Sequence, residues 1–96
     1  MYQVIKRDGA VAEFNIAKIS LAITKAFDAT GKDYNPDIID LLALRVTADY
    51  QKKIKEGKIT VEDIQDSVES VLSEAGYGDV AKAYILYRKQ REKIRN

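Results

Sequence analysis

Two adjacent cations, Lys6 and Arg7, stand directly before an Asp8-Gly9 pair, and a third, Lys18, follows at the start of the next apolar-periodic stretch. Two more, Arg88 and Lys89, lie near the end of the chain. Lysine offers phosphate oxygens a point charge and arginine a planar fork, so a fold that gathers these side chains could hold a triphosphate. Spacing alone equally fits five ordinary surface cations. What decides between the two is the set of elements that positions them.

Other chemistries are poorly supplied. The 96 residues contain no Cys and no His, which removes thiolate nucleophiles, disulfides, zinc-finger ligands and the commonest general base. The Glu62/Asp63 carboxylates fall in the first turn of a helix, where the helix dipole accounts for them. Asp8-Gly9 is one turn, and no Walker-type glycine loop is present. The chain therefore reads as a binding domain, not an enzyme. Net charge is only +1, so no global field calls for a polyanion. Basic residues do gather late, at Lys82, Arg88, Lys89, Arg91, Lys93 and Arg95, which keeps a small nucleic-acid-binding module as an alternative. A dimerisation bundle with vestigial nucleotide sites is another. The longest apolar run, around Ile38-Ile39, is broken by Asp40, far short of a membrane span. Strand-like sequence follows Met1 in place of an apolar signal region, so a cytoplasmic location is expected.

The elements come from local chemistry. Val4 to Arg7 and Ala10 to Glu13 flank Asp8-Gly9, a combination that predicts a hairpin with a two-residue type I′ turn. That register sets Lys6 opposite Val11, Ile5 opposite Ala12 and Val4 opposite Glu13, with Val4, Lys6, Val11 and Glu13 on one face. Asn15 suits the N-cap of a helix from about Ile16 to Ala29, with Ile16, Ile19, Ile23, Ala26 and Phe27 as its apolar stripe and Gly31 beyond its end. Asn35-Pro36 opens a second helix, expected to run to about Lys55, with Ile39, Leu42, Ala43, Val46 and Tyr50 inward and Ile38 and Leu41 widening the stripe. Glu56-Gly57-Lys58 interrupts. Thr60 caps a third helix with Ile64, Val68, Val71, Leu72 and Ala75 inward, ended by Gly76 and Gly78. A fourth runs from about Asp79 to Ile94, with Val80, Ala83, Tyr84 and Tyr87 on one side. The plan is one mostly α (α+β) domain, β-β-α-α-α-α: a β-hairpin lid over residues 1–14 and a four-helix bundle over 15–96. The N-termini of the first and third helices add anion-favouring dipoles to the cations.

Four blocks carry a resemblance: Val4-Ile5-Lys6-Arg7-Asp8-Gly9; Phe14-Asn15-Ile16-Ala17-Lys18-Ile19; Ile59-Thr60-Val61-Glu62-Asp63-Ile64-Gln65-Asp66; and Ala81-Lys82-Ala83-Tyr84-Ile85-Leu86-Tyr87-Arg88-Lys89. In this order they resemble the ATP-cone, the allosteric nucleotide-binding domain at the N-terminus of many ribonucleotide reductases. The same domain follows a zinc ribbon in a bacterial repressor of reductase genes; that ribbon would need cysteines before the hairpin, and Met1 is expected to leave no room for them. The Ala-Tyr-Ile-Leu-Tyr-Arg ending is most similar to the anaerobic, glycyl-radical class.

The resemblance implies a regulatory domain that binds ATP or dATP between lid and helix tops, Mg²⁺ accompanying the nucleotide. The two effectors would favour different oligomers of the parent reductase. Its implied partners are adenine nucleotides, the catalytic domain of that reductase and other cones; no membrane and no nucleic acid are implied. By the same resemblance Lys6 and Arg7 form a phosphate-contacting pair, Asn15 lies near adenine, and Lys18 reaches phosphate or ribose. Gln65 stands where some members have a ribose-contacting His. Lys89 or its neighbour Arg88 is aimed at phosphates, and Val4 lends backbone contacts beside the base. Ala12 stands where some members carry an acidic base-reading residue; the nearest carboxylate, Glu13, is expected to point to the other face.

Overall fold

A computed structural model describes residues 2–13 and 15–95, with side chains described as far as residue 90. Phe14, part of the second sequence block, and the side chains of Arg91, Lys93 and Arg95 lie outside the described residues. The elements are β1 (Gln3–Ile5), β2 (Val11–Glu13), α1 (Ile16–Thr30), α2 (Pro36–Tyr50), β3 (Lys58–Thr60), α3 (Val61–Glu74) and α4 (Gly78–Arg95). The expected hairpin and four helices are all present.

The hairpin turns differently from the sequence expectation. The Lys6 amide donates to the Ala10 carbonyl (2.8 Å) and the Gly9 amide to the Lys6 carbonyl (2.9 Å). The loop is therefore three residues, Arg7-Asp8-Gly9, with Gly9 at φ 88°. That left-handed residue after a tight turn is the three-residue alternative to the two-residue link. Asp8 favours it by accepting the Ala10 amide on Oδ1 at 2.9 Å. The register moves by one: Val4 pairs with Ala12, Ile5 with Val11 and Gln3 with Glu13. A one-residue slip exchanges the faces of a strand. Val4 is buried and Ala12 half-buried, while Val11 is 55% exposed, the reverse of its expected place beside Val4.

A third strand, β3, was not expected. It runs parallel to β1, with Gln3 opposite Lys58 and Ile5 opposite Thr60, giving the order β2-β1-β3. The interruption at Glu56-Gly57 is its entry turn. Lys55 and Lys58 exchange backbone hydrogen bonds of 2.9 and 3.0 Å around it. Glu56 (φ 54°) and Gly57 (φ 73°) are both left-handed, the requirement of a type I′ turn, which thus occurs here and not at Asp8-Gly9. Ile59 is buried at the centre of β3 and ties the sheet to the bundle.

The caps form where local chemistry puts them. Asn15 Oδ1 accepts from the Ala17 amide, Asn35 Oδ1 from the Asp37 amide and Thr60 Oγ1 from the Asp63 amide. Helix α2 stops at Tyr50, short of the expected Lys55, and a 3-10 turn over Gln51–Lys53 follows. Lys53, at the end of that turn, is tied to α3: its Nζ donates to Ser67 Oγ (2.9 Å) and the Asp63 carbonyl (3.3 Å). Gly78 begins α4 and does not end α3.

The core lies between the four helices. Ile23, Phe27, Leu42, Val46, Tyr50, Val68, Leu72 and Val80 are almost wholly buried in it. Ile39 and Ala43 join them, but Leu41 is 53% exposed and does not widen the α2 stripe. The Tyr2 and Tyr50 hydroxyls hydrogen-bond to each other, which fastens the N-terminus to the end of α2. Phe27 packs between Tyr34 (5.4 Å between centroids) and Tyr77 (5.1 Å) at the opposite end. Among the described residues no helix is long and apolar enough to cross a membrane.

Candidate functional site

Packing β1 and β2 across the first turns of α1 and α3 leaves a cavity of about 230 Å³, backed by α4. Its floor is apolar. Val4 and Ala12 come from the sheet, Ile19 and Ala22 from α1, Ile64 and Val68 from α3. These residues read as core stripe in the sequence, and nothing in a periodic pattern separates a core position from the floor of a pocket.

Seven of the eight sequence-derived candidates line this cavity: Val4, Lys6, Arg7, Asn15, Lys18, Gln65 and Arg88. The turn of the hairpin brings in Lys6 and Arg7. Lys18 arrives because Asn15 starts α1 and places Lys18 in its first turn, with the Lys18 amide donating to the Asn15 carbonyl at 3.1 Å. Gln65 projects from the start of α3. Lys89 is exposed and is not among the lining residues; it follows Arg88 by about 100° around α4.

Glu13 is a lining residue that the sequence reading had facing away. It pairs with Gln3 at the root of the hairpin, three strand residues, or about 10 Å, from the cationic turn. Among the described lining residues it is the one carboxylate. The cavity is thus polar in the electrical sense, cationic at the turn end and anionic at the root. Glu13 is exposed and falls on the opposite face of β2 from Ala12, so it meets the cavity from the end of the strand and not from beneath the sheet.

Two side-chain oxygens beside the cavity, Gln65 Oε1 and Glu62 Oε1, are buried with no hydrogen-bond partner among the described residues. Such atoms are uncommon in folded proteins, and the Gln65 oxygen is well placed to accept from a bound donor. Among the described residues no group of three carboxylate, His or Cys side chains could hold a metal ion unaided.

Arg88 does not extend freely into the cavity. Its Nη1 lies 2.5 Å from Glu69 Oε1 and 3.1 Å from Asp66 Oδ1, both on α3. Burial alone would lower its pKa, but the hydrogen bonds and charges of Glu69 and Asp66 outweigh that and hold it above the ordinary value. Tyr84, one turn earlier on the same wall, is buried, and burial pushes its phenol above the usual range against the opposing charge of Arg88. The basic last helix is therefore not a continuous cationic track: at Arg88 the charge is turned inward and balanced.

An apolar floor, two cations from a turn and a third from the start of α1, two helix N-termini and one carboxylate at the far end define a pocket for an anion with an organic body. The sequence places this architecture in a known family. Residues 2–93 match the ATP cone domain family, and the chain belongs to it. It is 45% identical to the ribonucleoside-diphosphate reductase subunit alpha of Chlamydia pneumoniae, covering 96% of this chain and 9% of that protein. It is 42% identical to the vitamin B12-dependent ribonucleoside-diphosphate reductase of Mycobacterium tuberculosis (97% and 13%). It is also 37% identical to the anaerobic ribonucleoside-triphosphate reductase of Haemophilus influenzae (98% and 13%). The chain thus spans about a tenth of the length of these relatives. They include anaerobic and other reductases, so the ending of α4 does not single out one class.

Proposed function

We propose that this domain binds ATP or dATP in the cavity between hairpin and helices and acts as an allosteric regulator of a ribonucleotide reductase. The observation that carries the reading is the convergence of Lys6, Arg7 and Lys18 on one cavity at the N-terminal ends of α1 and α3. Lys6, Arg7 and Lys18 take the phosphates, with Mg²⁺ carried by the nucleotide. Asn15 and the Val4 backbone lie beside the adenine, and Gln65 accepts from the ribose. Arg88, in preference to Lys89, reaches the phosphates from the back wall. Glu13 supplies an acceptor for an exocyclic amine.

The parent chain is a reductase catalytic subunit working in the cytoplasm. ATP and dATP differ by one hydroxyl, and one hydroxyl contact is worth about 0.5–1.5 kcal/mol. A ligand shifts an equilibrium only by its differential affinity for the two states. One cone therefore biases an assembly by roughly tenfold at most. Larger effects need several cones in one oligomer, through contacts with the catalytic domain and with each other.

Calorimetric titration of the domain with Mg²⁺ and ATP, dATP or GTP tests this. Saturable binding of both adenine nucleotides is expected, weaker for GTP, with at least a tenfold loss in the Lys6→Ala/Lys18→Ala double variant. Absence of heat with any nucleotide, in a domain that melts cooperatively, would overturn the reading.

A further inference from the structure

Arg88 lines the cavity yet spends its charge on two carboxylates that do not line it among the described residues. Its side chain is 15% exposed, Glu69's is 26% and Asp66's is 58%. Both carboxylates come from α3, one turn apart, so they hold one guanidinium nitrogen from the same side. Hydrogen bonds to a charged partner are the strong ones, and Glu69 and Asp66 both take Nη1, one of the donors a phosphate would use in a two-pronged contact.

We propose that Asp66 and Glu69 set the affinity of the site by holding Arg88 against the phosphate of a bound nucleotide. This rests on the nucleotide reading above. A phosphate that reaches Arg88 through Nη1 must displace the carboxylates, and one that uses the other nitrogens meets a guanidinium whose charge they already offset. The pair also discriminates by ligand charge. A polyphosphate competes well for the guanidinium, whereas a singly charged anion of the same shape gains little over the carboxylates already there. Asp66 and Glu69 are thus specificity-determining residues that need not touch the ligand.

The test is a cycle of variants titrated with Mg²⁺–ATP and with inorganic tripolyphosphate, each checked by thermal melting. Glu69→Gln keeps an oxygen acceptor but removes the charge. It is expected to tighten binding of both ligands about tenfold, the worth of one charge-assisted hydrogen bond. In an Arg88→Gln background the same change is expected to alter affinity by less than about twofold. A gain of equal size in both backgrounds would mean simple through-space relief of repulsion and would overturn the proposal. So would unchanged or weaker binding by a folded Glu69→Gln variant. Should that variant not fold, Asp66→Asn, at the more exposed side of the clamp, makes the same comparison. Binding by the unmodified domain with no gain in either variant removes the clamp alone; no binding by any of them removes the nucleotide reading with it.

Discussion

Tyr50 and Tyr84 carry the clearest pH consequence of individual residues. Burial raises both phenols well above their ordinary value, in Tyr50 with a further contribution from the Tyr2 hydroxyl and in Tyr84 against the opposing pull of Arg88. A folded pKa above the unfolded one near 10 means that the neutral phenol is favoured by folding. The associated stability is complete below pH 10 and is lost as pH climbs from there through the folded values. The melting temperature should fall steeply above pH 10. Absorbance at 295 nm should show Tyr50 and Tyr84 ionising only with the unfolding transition. Ionisation of Tyr50 and Tyr84 with no change in melting would contradict this. Much of the candidate site was legible at this scale, because Lys6, Arg7 and Lys18 are fixed by neighbours in sequence: a turn on one side, a cap on the other. What stayed hidden was tertiary. Glu13 meets the cavity only because β2 ends beside it, and the partners of Arg88 lie on another helix.

Among the described residues, the turn into β3 holds the one non-glycine residue with a left-handed backbone. Glu56 sits at φ 54°, where a Cβ crowds the following carbonyl, and this costs a non-glycine residue about 1–2 kcal/mol. Asn tolerates that region better. Glu56→Asn should therefore raise stability by about 0.5–1 kcal/mol, read as a higher urea midpoint at unchanged slope. The helices were legible because their ends carry their own chemistry: Asn15, Asn35 with Pro36, and Thr60 each accept an amide at the first turn. The sheet was not. Strand β3 has one buried apolar residue, Ile59, between two exposed ones, too little pattern to announce itself. Asp8-Gly9 permits either a two- or a three-residue loop, and the choice depends on whether Val4 is matched with Ala12 or with Glu13 over the helices. Packing makes that choice: Ala12 fits beneath the hairpin where a charged side chain would be stranded.

For the molecule as a whole, the margin is small. A domain of this length has about 5–14 kcal/mol of stability. Leu72, fully buried where α3 faces α2 and α4, bears on most of it. Leu72→Ala should cost about 2–5 kcal/mol and lower the melting temperature accordingly. A ligand that binds only the folded state at a hundred times its dissociation constant returns about 2.7 kcal/mol, so saturating ATP should recover a substantial part of the loss. Failure of ATP to raise that variant's melting point would count against a site in the cavity. The same arrangement has a consequence for how the chain is made. Strand β1 leaves a ribosome ahead of its parallel partner β3, and parallel pairing needs the intervening chain to be present before it can form. The N-terminal hairpin must wait through the synthesis of two helices before Lys58 to Thr60 arrive beside it. The nascent domain therefore acquires its cavity late, only when α3 and α4 have followed, and whatever the cavity holds can act on the finished domain but has no hold on its birth.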